Sequence, residues 1–112
     1  MDTKKIVSFL FELAGGKTTP RTGWQRIGIK LPESLADHSA LSGQIAYILA
    51  LMEDANPDRA AALALFHDTA ELRSGEQNWV SRIYSNHDNQ KEKILKNQLS
   101  GLPGAGQLAG AF

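Results

Sequence analysis

Four side chains in this sequence have the types and spacing of a metal-assisted hydrolytic site. His67 is followed at once by Asp68, and Glu71 lies one helical turn further on. On a helix, residues four apart share a face, so His67 and Glu71 project together while Asp68 leans to their side. His38 lies three residues before Leu41 and seven before Ile45, and so extends the inward face of its own helix by one turn. If that turn packs against His67, two imidazoles and a carboxylate converge. Such a set takes a divalent ion: zinc, iron, cobalt and nickel suit imidazole, and mixed histidine–carboxylate sets also accept manganese. Magnesium stays on the list, because the residues do not select among these ions. A bound ion of this kind makes water more acidic and polarises a phosphoryl oxygen. Glu71 would then donate or accept a proton beside the water. The plainer reading is that each histidine is a hydrogen-bonded core residue. The dipeptide alone means little, since His87-Asp88 repeats it in a polar stretch that reads as a loop or helix start.

A second group lies in the segment PRTGW. Arg21 there can grip a phosphate bidentately, and Trp24 can pack on a sugar or base. The alternative is a solvated arginine and a tryptophan that plugs the helix ends. The formal net charge is zero, which argues against a general nucleic-acid binder. Its distribution is uneven. Residues 1–30 are net basic, 31–76 net acidic and 77–112 net basic again. An acidic middle flanked by basic segments suits a cation beside an anionic substrate, although solvated helix faces give the same pattern.

The elements that must position these groups read as helices throughout. The first runs from Thr3 to Ala14, with Ile6, Phe9, Leu10 and Leu13 on one face and Gly15 and Gly16 as its stop. Residues 17–33 form a long basic connection, and connections of that length are often functional. A second helix starts at Ser34, where Ser34 and Asp37 approximate a capping box. Leu41, Ile45, Ile48, Leu49 and Met52 form its apolar stripe. Asn56, Pro57 and Asp58 start a third, in which Ala60, Leu63 and Ala64 lead on to His67 and Glu71, with Gly75 as the stop. A fourth covers Gln77 to Tyr84, burying Trp79, Val80 and Ile83, and a fifth covers Asn89 to Leu99. Ile94, Leu95 and Leu99 make a narrow apolar edge on the fifth, a candidate surface for self-assembly. The Gly/Ala-rich stretch 101–112 reads as a loose tail on a domain of residues 1–100.

The 112 residues make one domain and not two. With no cysteine, disulfides, thiolate metal sites and cysteine nucleophiles are excluded. The hydrophobic content of 42% excludes a disordered chain. No apolar run approaches a membrane span, and the N-terminal segment reads as an amphipathic helix rather than a signal peptide. An all-α, cytoplasmic protein without membrane partners is expected.

Taken together, PRTGW, PESLADHS and ALFHDTAELRSGE resemble the HD-domain metal-dependent phosphohydrolases, closest to their 5'-deoxynucleotidase-like branch. The resemblance covers about Ile6 to Tyr84 and implies a helical bundle of about five helices. By motif position it makes His38 the first metal ligand and His67-Asp68 the doublet that names the family. It makes Glu71 the acidic residue acting on the water or leaving group, and places Glu76 where aspartate is usual, in the catalytic group. Arg21 matches the arginine that faces the substrate phosphate, and Trp24 a tryptophan near that pocket. The implied reaction removes the 5'-phosphate of deoxynucleoside monophosphates, usually in a homodimer. The family's last ligand is an aspartate on a later helix, yet no aspartate follows Asp88, and Asp88 in SNHDNQK does not match that late motif. Members of the family also run longer. The sequence therefore reads as a short or truncated member. The alternative is an HD-fold scaffold or nucleotide-binding module without turnover.

Overall fold

The first helix, α1 (Thr3–Ala14), begins where Asp2 Oδ1 accepts from the backbone N–H of Lys5 at 3.2 Å. The computed structural model describes residues 1–21, 27, 28, 30, 32–74 and 87–104. α1 ends at the expected glycines, which continue as one turn of 3₁₀ helix over Gly15–Thr18. Phe9 is buried and Leu13 packs with it, but Leu10, expected on the same face, is mostly exposed.

The ends of the long connection are pinned to each other. Leu35 N–H donates to Thr19 O at 2.7 Å and Arg21 N–H to Glu33 O at 3.2 Å, around an antiparallel bridge between Pro20 and Ser34. Arg21 and Glu33 thus stand opposite one another at the mouth of the next helix.

That helix, α2 (Leu35–Met52), opens with the expected capping box. Ser34 Oγ accepts from Asp37 N–H at 3.1 Å, and Asp37 Oδ2 accepts from Ser34 N–H at 3.3 Å. It closes in a Schellman arrangement, with Ala55 N–H donating to Ala50 O at 2.8 Å. Asp54 takes the left-handed position there, φ 54°, which aspartate tolerates better than most side chains.

α3 (Pro57–Phe66) starts as the sequence predicts: Asn56 Oδ1 caps Arg59 N–H at 3.1 Å and Pro57 holds the first position. α2 and α3 pack as a helical hairpin. Gly43 is what lets them approach, because a Cβ there would lie 2.9 Å from Leu65 Cγ.

This contact corrects the expected stripe on α2. Leu41, Ile45, Ile48, Leu49 and Met52 are all at least half exposed, Met52 at 72%. The face turned inward carries Leu35, Gly43 and Ala50 instead. The helix is apolar on nearly every side, so periodicity could not select the face, and the small residues that permit close approach did.

A second correction concerns the third helix. It stops at Phe66, and residues 67–70 form a turn before a one-turn helix, α4 (Glu71–Ser74). The backbone changes to i→i+3 bonds, with Thr69 N–H on Phe66 O at 3.2 Å and Glu71 N–H on Asp68 O at 2.9 Å. His67 and Glu71 therefore do not share one continuous helical face.

The last described helix, α5 (His87–Gln98), begins two residues earlier than expected, at His87-Asp88. Leu95 and Leu99 are buried, Leu99 against Phe9, so the apolar edge offered above for self-assembly is largely core. The fold is all-α, as expected. The predicted helix over 77–84 and most of the tail, 105–112, lie outside the described residues. Among the described residues no helix is long and apolar enough to cross a membrane.

Candidate metal centre

The break after Phe66 aims the doublet at α2. His67 Nε2 lies 2.8 Å from Asp68 Oδ2, and His38 Nε2 approaches the same oxygen at 3.4 Å. The two imidazole rings are 5.6 Å apart between centroids and inclined at 57°. One ligand atom from each of His38, His67 and Asp68 lies within 4.8 Å of the others, all three side chains being half-buried.

The donor set fits a divalent ion. His67 Nδ1 bonds to Ala64 O, and a carbonyl only accepts, so Nδ1 carries a proton; Nε2, which faces Asp68, is then the atom whose lone pair an ion would take in place of a proton. Asp68 sits where its carboxyl stays ionised. Burial pushes its pKa up, but the hydrogen bond from His67 and the charges of His67 and His38 together outweigh this and hold it below the usual value. The hydrogen bond to Asp68 is also the main reason that the pKa of His67 is raised, against the opposing effect of burial.

These shifts set a pH window for the metal-free protein. A raised histidine pKa stabilises the fold below about pH 6.5, and the benefit is lost as pH rises through the folded value. A depressed aspartate pKa stabilises above about pH 4 and the benefit is lost as pH falls through the folded value. The destabilisation caused by Asp68→Asn without metal should therefore be larger at about pH 5.5 than at about pH 8.5. Thermal melts of both proteins across that range check this, and an equal penalty at the two ends would contradict it.

A polar network holds the doublet's turn from behind. Gln98 on α5 is buried, and its Nε2 donates to Thr69 O at 3.1 Å and to Glu12 Oε2 at 2.8 Å. Glu12 Oε1 in turn accepts from Arg73 Nε, and Arg73 Nη1 donates to Asn97 Oδ1 at 2.6 Å. α1, α4 and α5 are thereby tied to the residue that follows Asp68. Gln98, Glu12 and Arg73 carried no signal in the sequence, because their partners lie 24 to 86 positions away.

Of the other expected site residues, Arg21 stands beside the centre, its Nη1 2.8 Å from His38 Nδ1. Glu71 is buried, at 4% exposure, at the start of α4. Trp24 and Glu76 lie outside the described residues. Sequence reasoning missed Glu33, whose Oε1 accepts from Arg21 Nη1 at 2.8 Å. Its signal was a lone acid directly before the cap of the His38 helix.

An all-helical domain presenting a His-Asp doublet and a distant histidine to one point defines a class, and comparison with known proteins agrees. The HD domain family matches residues 14–109. The chain is 34% identical over 101 residues to the 5'-deoxynucleotidase HDDC2 of Xenopus laevis, covering 88% of this chain and 49% of that one. It is 45% identical over 71 residues to the 5'-deoxynucleotidase hdd1 of Schizosaccharomyces pombe, covering 63% of this chain and 35% of that one. A conserved hypothetical protein from Pyrococcus furiosus superposes with a TM-score of 0.76 at 26% identity, over 94% of this chain and 73% of its own. The chain belongs to the HD domain family. It spans about half or less of the length of these two curated relatives.

Proposed function

We propose that the chain is a metal-dependent phosphohydrolase that removes the 5'-phosphate of (deoxy)nucleoside monophosphates. The observation that carries this is the convergence of His38, His67 and Asp68 on one point, with Arg21 alongside. Both relatives quoted bear the name 5'-deoxynucleotidase, which supports the substrate class.

His38 Nε2, His67 Nε2 and Asp68 Oδ2 would hold the ion. When bound, the ion makes water more acidic and polarises a phosphoryl oxygen. Ala64 O fixes the ring of His67, so no reorientation is needed before ligation. Arg21 would supply a guanidinium for the phosphate from its place beside His38. Glu71, in its buried position, would hold or release the proton that hydrolysis moves. Trp24 would pack on the base or sugar, and Glu76 would complete the acidic group.

Phosphate release from a panel of deoxynucleoside monophosphates, with manganese, cobalt, zinc or magnesium, tests this reading. Turnover should fall by a factor of about a hundred or more in Glu71→Gln, the span expected for a general acid or base. Unchanged turnover in Glu71→Gln would remove Glu71 from this role. Metal uptake without any phosphate release would leave the alternative, a nucleotide-binding module on the same fold.

A further inference from the structure

Glu33 and Arg21 meet His38 on the side away from Asp68. Arg21 Nη1 lies 2.8 Å from both Glu33 Oε1 and His38 Nδ1, and Glu33 Oε1 is 3.6 Å from that same Nδ1. The paired backbone of Arg21 and Glu33 holds the two side chains at the mouth of α2. All three are only partly exposed, at 22% to 33%.

The chemistry of these donors is restrictive. A guanidinium nitrogen donates and never accepts. His38 Nδ1 must therefore accept from Arg21 in this arrangement, which puts the ring proton on Nε2, facing Asp68 Oδ2 at 3.4 Å. Ligation of an ion through Nε2 needs the lone pair at that atom, so the proton has to sit on Nδ1 instead. Nδ1–H can no longer take a bond from Arg21 and needs an acceptor. Glu33 Oε1 is the acceptor already placed beside it.

We propose that Glu33 is the positioning residue that orients His38 for metal and couples ligation to the release of Arg21 Nη1 from the imidazole. The proton moves from Nε2 to Nδ1 with no change in the net charge of the ring. Glu33 takes the new N–H, and the Nη1–H that had bonded the imidazole becomes available to the phosphate while Arg21 stays paired with Glu33. This deepens the proposed function and rests on it for the role of Arg21. The exchange at His38 depends only on metal.

The test uses zinc alone on the full chain, with Glu33→Gln and Glu33→Ala beside the wild type. Zinc affinity, from the midpoint of the zinc-induced rise in melting temperature, should weaken by about 10- to 100-fold in Glu33→Ala. Glu33→Gln, whose carbonyl oxygen can still accept Nδ1–H, should recover part of the loss. Nitrogen NMR of the imidazole should show the His38 proton on Nε2 without zinc and on Nδ1 with it. A merely structural Glu33 would lower the melting temperature of both variants and leave the zinc midpoint and the tautomer exchange intact, and that result overturns the inference. A wild type that takes up zinc and exchanges the proton but releases no phosphate would sink the proposed function and leave the role of Glu33 standing. A wild type with no zinc uptake would overturn both.

Discussion

Asp68→Asn should abolish the rise in melting temperature that divalent metal is expected to produce on the wild-type chain. Asparagine keeps the size and shape of the side chain and removes the anion. The two histidines then face an uncharged amide, in place of the oxygen that both Nε2 atoms approach. An ion at a hundred times its dissociation constant stabilises the folded state by about 2.7 kcal/mol. For a domain of this size that corresponds to on the order of 10 °C. Calorimetry of chelator-treated protein with and without manganese or cobalt measures it. The variant should melt cooperatively and show no metal-dependent shift at the same concentrations. An undiminished shift would mean that the ion binds elsewhere.

The second large effect is on the fold and spares the site. Leu95 is 1% exposed, the one large side chain among the described residues that is fully buried. Its truncation to alanine should cost about 2–5 kcal/mol, because the missing methyl groups leave a cavity in a fully buried position. The melting temperature should fall by on the order of 10 °C or more. The metal-induced rise should persist in Leu95→Ala, since no ligand is altered. Loss of that rise together with stability would mean that α5 shapes the centre directly. A change in melting temperature of only a degree or two would mean that the core does not rest on α5.

The two effects bear on what could be read from the chain beforehand. Local signals were legible. Ser34 with Asp37 and Asn56 with Pro57 marked two helix starts, because a cap needs only residues within one turn. The histidines and Asp68 were legible as a group because their chemistry is rare on apolar segments, and the structure brings them together. The inward face of α2 was not legible. A helix apolar on nearly all sides offers no periodic contrast, and the deciding contact, Gly43 against Leu65, spans two helices. Nor was the turn at 67–70. Continuous apolar spacing through Ala64 predicted an unbroken helix, whereas the backbone tightens there and turns Asp68 toward His38. Glu33 escaped notice because its partners are set by the pairing of 20–21 with 33–34 across a loop, which no local pattern announces.

The most direct test of the central claim, one ion held by His38, His67 and Asp68, is the metal content of the protein after equilibrium dialysis. Wild-type protein and the variants His38→Ala, His67→Ala and Asp68→Ala would be dialysed against low micromolar cobalt or manganese and analysed for metal per chain. A single ion per chain in the wild type, with none retained by any of the three folded variants, is the predicted result. Retention of the ion by any variant would contradict the three-residue centre, and so would a wild type that melts cooperatively yet holds no metal.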